Sequence, residues 1–516
     1  MVSLFTTVYS AANFGIDGYI VSVECNGTRK IPEFRLVGLP DTAVKEAYDR
    51  VHTAAENSGF RFPSLELIIN LAPANRKKEG TGFDLAILLG IFRCGGYLNE
   101  NVDLSGRCFV GELSLSGEVR GIHGVLCMCA AAKDAGMREF YAPAANAKEA
   151  AAVEGITVYA VRSVKELIDH LNGVKLMTPV PAEVGKSAAV VNYRLDFSDV
   201  HGQAMAKRAM EIAAAGSHNI LLIGPPGTGK SMLAKRLPTI LPDMLFDEAV
   251  ETTKIHSVAG TLPENVSLMY VRPFRSPHHT MSAVALAGGG VNPKPGEVSL
   301  AHNGVLFLDE FPEFPKQVTD SLRQPLEDRK ITITRAAGRV TYPCNFMLVA
   351  AMNPCRCGYF GDPTHKCTCS AKDIKNYVSR ISGPLLDRID IQVELPALTY
   401  DELSAKNTSE ETSEVIRGRV KAAREFAAAR FSGEKGIHSN AEMDSAMIRK
   451  YCTPDAAGQA LLKKAYDSLG LSARGYDRTL RVARTIADLA GCEQIGASHI
   501  AEAIQFRSLD RKYWKN

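Results

Sequence analysis

The segment Gly224-Pro225-Pro226-Gly227-Thr228-Gly229-Lys230-Ser231 constrains this chain more than any other. It satisfies G-x-x-x-x-G-K-[ST], follows the apolar run Asn219 to Ile223 and precedes a helical stretch from Met232 to Leu237. Strand, loop and helix therefore stand in the order that a phosphate-binding loop requires. Glycines at 224, 227 and 229 let the backbone wrap closely enough to aim its N–H groups at phosphate oxygens, and the helix N-terminus behind them adds a favourable dipole. Lys230 then neutralises the β and γ phosphates, and Ser231 ligates Mg²⁺. The bland alternative, a glycine-rich turn, does not explain the flanking strand and helix. The expectation is a soluble, Mg²⁺-dependent ATPase.

Hydrolysis needs an acidic partner, and the buried-strand run Val305-Leu306-Phe307-Leu308 ends in Asp309 and Glu310. Asp309 is expected in the Mg²⁺ shell and Glu310 beside the attacking water. A strand from Phe346 to Met352 ends in Asn353, a polar tip that a neighbouring strand would bring to the γ phosphate; a plain strand-end turn at Asn353-Pro354 is the other reading.

At 516 residues with 46% hydrophobic side chains, the chain is long enough for about three cored domains. Sixty basic against 57 acidic residues leave a formal charge of +3, so any nucleic-acid surface must be local. No apolar run approaches the ~18 residues of a membrane helix, and the N-terminus lacks the basic start of a secretory signal. The expectation is a cytoplasmic protein with no membrane partner.

Residues 1–172 mix strand alternation at Tyr19, Val21 and Val23 and the run from Leu65 with helical spacing over Asp41 to Asn57 and Gly124 to Gly136. Residues 173–192, broken by Gly173, Pro179, Pro181 and Gly185, read as a linker. Residues 193–398 are a second α/β region holding the phosphate loop, and 399–516 recur at helical spacing.

Four of the twelve cysteines crowd into Cys355-x-Cys357 and Cys367-x-Cys369. Four thiolates suit a tetrahedral structural Zn²⁺, with His365 as a substitute ligand, although Cys-x-Cys is a less typical spacing than the x₂ of zinc knuckles. Reduced cytosolic thiols and a redox sensor are the alternatives.

Taken together, the phosphate loop, the Asp309-Glu310 strand and the Asn353 strand resemble an AAA+ ATPase. The resemblance makes Asn353 the sensor-1 residue. Gly383-Pro-Leu-Leu-Asp387-Arg388 is similar to the arginine-finger segment, which implies Arg388 at a neighbouring subunit's γ phosphate and a homo-oligomeric ring, most often a hexamer. Leu471-Ser-Ala-Arg474 resembles the sensor-2 motif of a helical lid, with Arg474 the match and Arg478 the rival. Phe197-Ser-Asp-Val200-His201 is similar to the segment that packs on adenine.

Arg272-Pro-Phe-Arg-Ser-Pro-His-His279, Leu36-Val-Gly-Leu-Pro-Asp41, Asn70-Leu-Ala-Pro73 and the cysteine segment resemble the ComM/YifB family of magnesium-chelatase-like AAA+ ATPases over nearly the whole chain. The resemblance implies a DNA motor, a helicase promoting branch migration in homologous recombination and natural transformation, on single-stranded or branched DNA. It also makes the run around Ala336-Ala337-Gly338 a hairpin before sensor 1, with Arg335 and Arg339 at its tip as DNA contacts; a solvated charged tip is the other reading. Lys78-Glu79-Gly80-Thr81-Gly82 and Gly111 to Val119 resemble the Lon-protease type of the ribosomal-protein-S5 domain-2-like fold. Gly82 stands where that fold's serine nucleophile belongs and Leu126 where its lysine belongs, so peptide hydrolysis is not expected; Thr81 as a displaced nucleophile is the minor alternative. The expected fold is thus α/β, with an N-terminal Lon-protease-like domain, an AAA+ core and a C-terminal helical lid. A chelatase-type ATPase subunit driving metal insertion is the rival function.

Overall fold

The computed structural model describes residues 4–182, 194–263, 266–290, 293–335, 338–363, 365–399, 410–434 and 436–514. Most of the linker after 182, the hairpin turn at Ala336-Ala337 and the start of the helical region at 400–409 lie outside the described residues. The chain divides into two compact units, Met1–Ala189 with Leu245–Tyr270 and Val190–Met244 with Val271–Asn516. The stretch Leu245–Tyr270, inside the sequence range expected for the ATPase core, thus belongs to the first unit.

That unit is built on a seven-stranded mixed sheet in the spatial order Glu33–Val37, Glu66–Ala72, Asp17–Thr28, Leu4–Phe14, Arg107–Phe109, Glu139–Pro143, Thr157–Val161. Val21, Val23 and Cys25 alternate into the core as the two-residue period demands. The helix Asp84–Cys94 is buried along almost its whole length and is accordingly apolar on nearly every face. Its one acid, Asp84, is held by a fork from Arg50 at 2.7 and 2.9 Å. Helix Phe246–Ala259 joins this unit on the helix Val125–Asp134, where the Gly124 amide donates to Ser257 at 3.0 Å and the Ser257 hydroxyl to buried Glu149 at 2.6 Å. Burial pushes the Glu149 carboxyl up. Leu126 lies buried among Ala152 and Leu268, and the Thr81 hydroxyl donates to Glu112.

The second unit carries a five-stranded parallel sheet, ordered Phe274–Arg275, Val305–Leu308, Met347–Met352, Ile220–Ile223, Ile391–Glu394. In chain order this is 2-3-4-1-5. Ile220–Ile223, Val305–Leu308 and Met347–Met352 are buried at every position, which fits a parallel sheet covered on both faces. Helix Ala204–Gly216 packs on it and also meets the C-terminal helices Ser413–Arg430 and Ala473–Leu489. Those two are tied through Asp488, whose carboxylate takes Arg484 at 3.0 Å and Arg430 on its other side. A purely apolar core would tolerate sliding; this buried charge cluster ties the helices at one point. The mixed α/β fold with a helical C-terminal region is the expected one. Among the described residues no helix is long and apolar enough to cross a membrane.

Candidate active site

Strand order explains why residues more than a hundred positions apart meet. The Asn353 strand lies between the phosphate-loop strand and the Asp309 strand, in register Ile223↔Met352 on one side and Leu308↔Ala350 on the other. All three end on the same edge, so Lys230, Asp309 and Asn353 converge there.

Gly229 has φ +88° and Gly227 φ +81°, left-handed values that a side chain at either position would strain. Thr228 donates to the Pro225 carbonyl at 2.9 Å, closing the loop on itself. The Lys230 ammonium is buried and donates to the carbonyls of Gly224 (2.6 Å) and Pro225 (2.8 Å) and to Asn353 Oδ1 (3.2 Å). Desolvation pulls it down to about 8, against a smaller upward pull from the Asp309 charge. The Ser231 hydroxyl donates to Asp309 Oδ2 at 2.6 Å. A hydroxyl and a carboxylate in contact are an oxygen donor set that suits a hard divalent cation such as Mg²⁺.

Glu310 is more than half exposed and sits at φ +51°, outside the range that a non-glycine residue prefers. Its Oε2 lies 3.2 Å from His279 Nδ1, and the His279 ring is tilted against that of His278, 4.1 Å between centroids. Val200 is buried in the core of this unit while His201 is exposed. Gln203 binds the loop from behind, donating to the carbonyls of Thr228 (3.4 Å) and Pro396 (2.9 Å). The sequence assigns neither Gln203, two residues beyond His201, nor His279 a part in the site. Nothing short of the fold puts them beside Thr228 and Glu310.

Arg388 and Arg474 are elsewhere. Arg388 precedes the strand Ile391–Glu394, its carbonyl accepts from Asn219 Nδ2 at 2.9 Å, and Asn219 precedes the strand that ends in the phosphate loop. Four residues of strand, about 13 Å, therefore separate Arg388 from the phosphate loop. Arg388 donates to the Pro384 carbonyl at 2.6 Å and pairs with Glu327, whose other oxygen is 3.9 Å from Arg474. Arg474 is 60% exposed, whereas Arg478 is only 9% exposed and 3.5 Å from buried Asp390. Burial opposes ionisation of Asp390, but the hydrogen bond and charge of His218, with Arg478 and Arg481, bring it down to about 2. Glu327, Arg388, Arg474, Arg478 and Arg481 line one cavity of about 490 Å³ at this end of the sheet.

The arginines of the hairpin, Arg335 and Arg339, are exposed, with Thr334 paired to Arg339 and Arg335 to Gly338. The four cysteines are brought together: the sulfurs of Cys355, Cys357, Cys367 and Cys369 all lie within 4.8 Å of one another, with separations of 3.3, 3.7 and 3.6 Å among the first three. A tetrahedral ion at ~2.3 Å from each sulfur calls for S–S spacings of about 3.8 Å, so the donor set fits Zn²⁺. Despite the cost of burial, the Tyr359 and Thr368 amides and neighbouring thiols hold Cys357 down to about 5, while Cys355, Cys367 and Cys369 are shifted up. His365 stacks instead on Tyr359, 4.8 Å between ring centroids.

Comparison with known proteins agrees with this architecture. The family profiles described as "Magnesium chelatase, subunit ChlI", "Subunit ChlI of Mg-chelatase" and "Magnesium chelatase, subunit ChlI C-terminal" match residues 196–403, 23–146 and 410–507. Competence protein ComM of Haemophilus influenzae is 44% identical over 508 residues, 98% of this chain and 97% of that protein. The uncharacterized protein YifB of Escherichia coli is 40% identical over 506 residues, again 98% and 97%. A shorter likeness, 26% identity over 209 residues covering 38% of this chain and 22% of the relative, links it to the zygotic DNA replication licensing factor mcm6-B of Xenopus laevis. With near-complete coverage at such identity, and a phosphate loop, acid strand and Asn353 converging on one sheet edge, the chain belongs to the ComM/YifB family of magnesium-chelatase-like AAA+ ATPases.

Proposed function

We propose that this chain is the repeating subunit of a ring-forming motor that hydrolyses Mg²⁺-ATP and acts on single-stranded or branched DNA, driving branch migration in recombination and natural transformation. The observation that carries the reading is the split of the site. Lys230, Ser231, Asp309, Glu310 and Asn353 gather at one sheet edge, while Arg388 and Arg474 hang from the opposite edge, about 13 Å of strand away. Arginines so placed serve a neighbour's phosphates, so each hydrolytic site lies between two chains in a head-to-tail ring.

At the loop, the backbone from Gly224 to Gly229 cradles the phosphates and Lys230 exchanges its three protein acceptors for phosphate oxygens. Ser231 and Asp309 are the residues that would hold Mg²⁺, which would supply positive charge to the phosphates. Glu310 takes the proton of the attacking water, and Asn353 orients the terminal phosphate. Val200 and His201 border the base. The four cysteines hold a structural Zn²⁺.

DNA as the track is supported by the competence protein matched over nearly the full length, by the partial likeness to a DNA replication licensing factor, and by Arg335 and Arg339 exposed on a two-stranded hairpin. Metal insertion into a porphyrin is the rival suggested by the chelatase profiles, which match residues 23–146, 196–403 and 410–507. ATP turnover measured with and without single-stranded and branched DNA decides between them. Several-fold stimulation is expected; turnover indifferent to every DNA form in an assembled ring would refute the motor.

A further inference from the structure

The strand Met347–Met352 and the strand Ile220–Ile223 run parallel and end level, Ile223 opposite Met352, with the Gly224 amide donating to the Met352 carbonyl at 3.2 Å. The two chains therefore leave the sheet side by side. One becomes the phosphate loop; the other becomes Asn353, Pro354 and the first cysteine pair. Three residues on, the contact is made. Gly358 adopts φ +90°, its amide donating to the Cys355 carbonyl at 3.0 Å, and its buried Cα faces Pro226. A Cβ at 358 would stand 2.7 Å from Cδ and 2.9 Å from Cγ of the proline, so no side chain fits there without moving the phosphate loop.

Pro226 is otherwise exposed, and the loop's own bonds run through Pro225, Thr228 and Lys230, leaving Pro226 at the crown to lean on the cysteine knuckle. In the knuckle Cys355 is buried and the other three cysteines are half-exposed. Four sulfurs packed within 4.8 Å of one another are a ready tetrahedral donor set, and metal binding to such a set is coupled to the folding of the segment that carries it.

We infer that the Cys355–Cys369 metal knuckle is a brace for the phosphate loop, with Gly358 as its positioning residue against Pro226, so that metal occupancy and nucleotide affinity are thermodynamically coupled. The inference rests on the zinc reading given above. Coupling of this kind is reciprocal: whatever factor the metal adds to nucleotide affinity, the nucleotide adds to metal retention.

The test begins with elemental analysis of the full-length protein, expecting one zinc per chain. Zinc extraction by 4-(2-pyridylazo)resorcinol is then timed with and without a non-hydrolysable ATP analogue, Mg²⁺ being kept in excess so that the analogue does not itself take zinc. The analogue should slow extraction at least threefold in the wild type and not at all in Lys230→Ala. In Gly358→Ala, zinc content should stay at one per chain while the analogue's Kd rises about tenfold. Less than half a zinc per chain in folded protein overturns the metal reading and the coupling with it. One zinc per chain, with extraction unmoved by the analogue and Gly358→Ala binding as the wild type does, overturns the brace alone.

Discussion

The two edges of the five-stranded sheet are built on opposite principles. At the phosphate-loop edge the polar groups are already engaged with one another: Lys230 has three acceptors, Ser231 has Asp309, and Gln203 holds Thr228 from behind. At the other edge Arg388 and Arg474 share Glu327, and one of them is mostly exposed. The first edge is preorganised to receive a ligand, which lowers the cost of binding. The second holds its charges on the Glu327 carboxylate, which in the proposed ring gives way to a neighbour's phosphate. On the ring reading proposed above, a single chain carries two unlike halves of a site, and the functional unit is their junction.

The comparison can be broken by separating binding from turnover. Arg388→Ala should lower kcat by about 10³-fold, the range for arginine fingers, while nucleotide Kd stays within twofold, because Arg388 never reaches its own chain's loop. A comparable rise in Kd, measured by equilibrium titration, would place Arg388 at the cis site. Glu310→Gln should cost about 10²- to 10³-fold in turnover with binding retained, as expected for loss of a general base.

Proton linkage sharpens the phosphate-loop half. Lys230 titrates at about 8 in the free protein because of burial, and phosphate oxygens raise it on binding. Affinity is therefore fully present below pH 8 and lost above it, by up to about tenfold per pH unit until the bound-state value is reached. Nucleotide Kd that stays flat from pH 7 to 9.5 would contradict this. The smallest effect is expected at the hairpin: Arg335→Ala with Arg339→Ala should leave basal turnover intact, remove most DNA stimulation, and flatten the salt slope of DNA binding by about one per arginine.

What was legible in the sequence were the features in which chemistry is local in the chain. Gly224 to Ser231 needs only its own flanks to be read, and Leu308-Asp309 only a buried strand ending in acid. Asn353 was legible for the same reason, as a polar tip on an apolar run. Contacts that depend on strand order were not legible. The lean of Gly358 on Pro226 follows from the register Ile223↔Met352, and the pairing of His279 with Glu310 joins a loop to a strand end with no mark in either segment. Leu245–Tyr270 was hidden differently: it lies between the phosphate loop and Asp309 in the chain, and nothing in its sequence says which core receives it.

The shared site is tested most directly by mixing two inactive variants. Lys230→Ala keeps its arginines and Arg388→Ala keeps its phosphate loop, so random co-assembly creates intact junctions at about a quarter of interfaces in a head-to-tail ring. ATP turnover of an equal mixture should recover to about a quarter of wild type from parents that are each near zero. A mixture that turns over no faster than the mean of its parents, in rings shown to exchange subunits, would contradict the account.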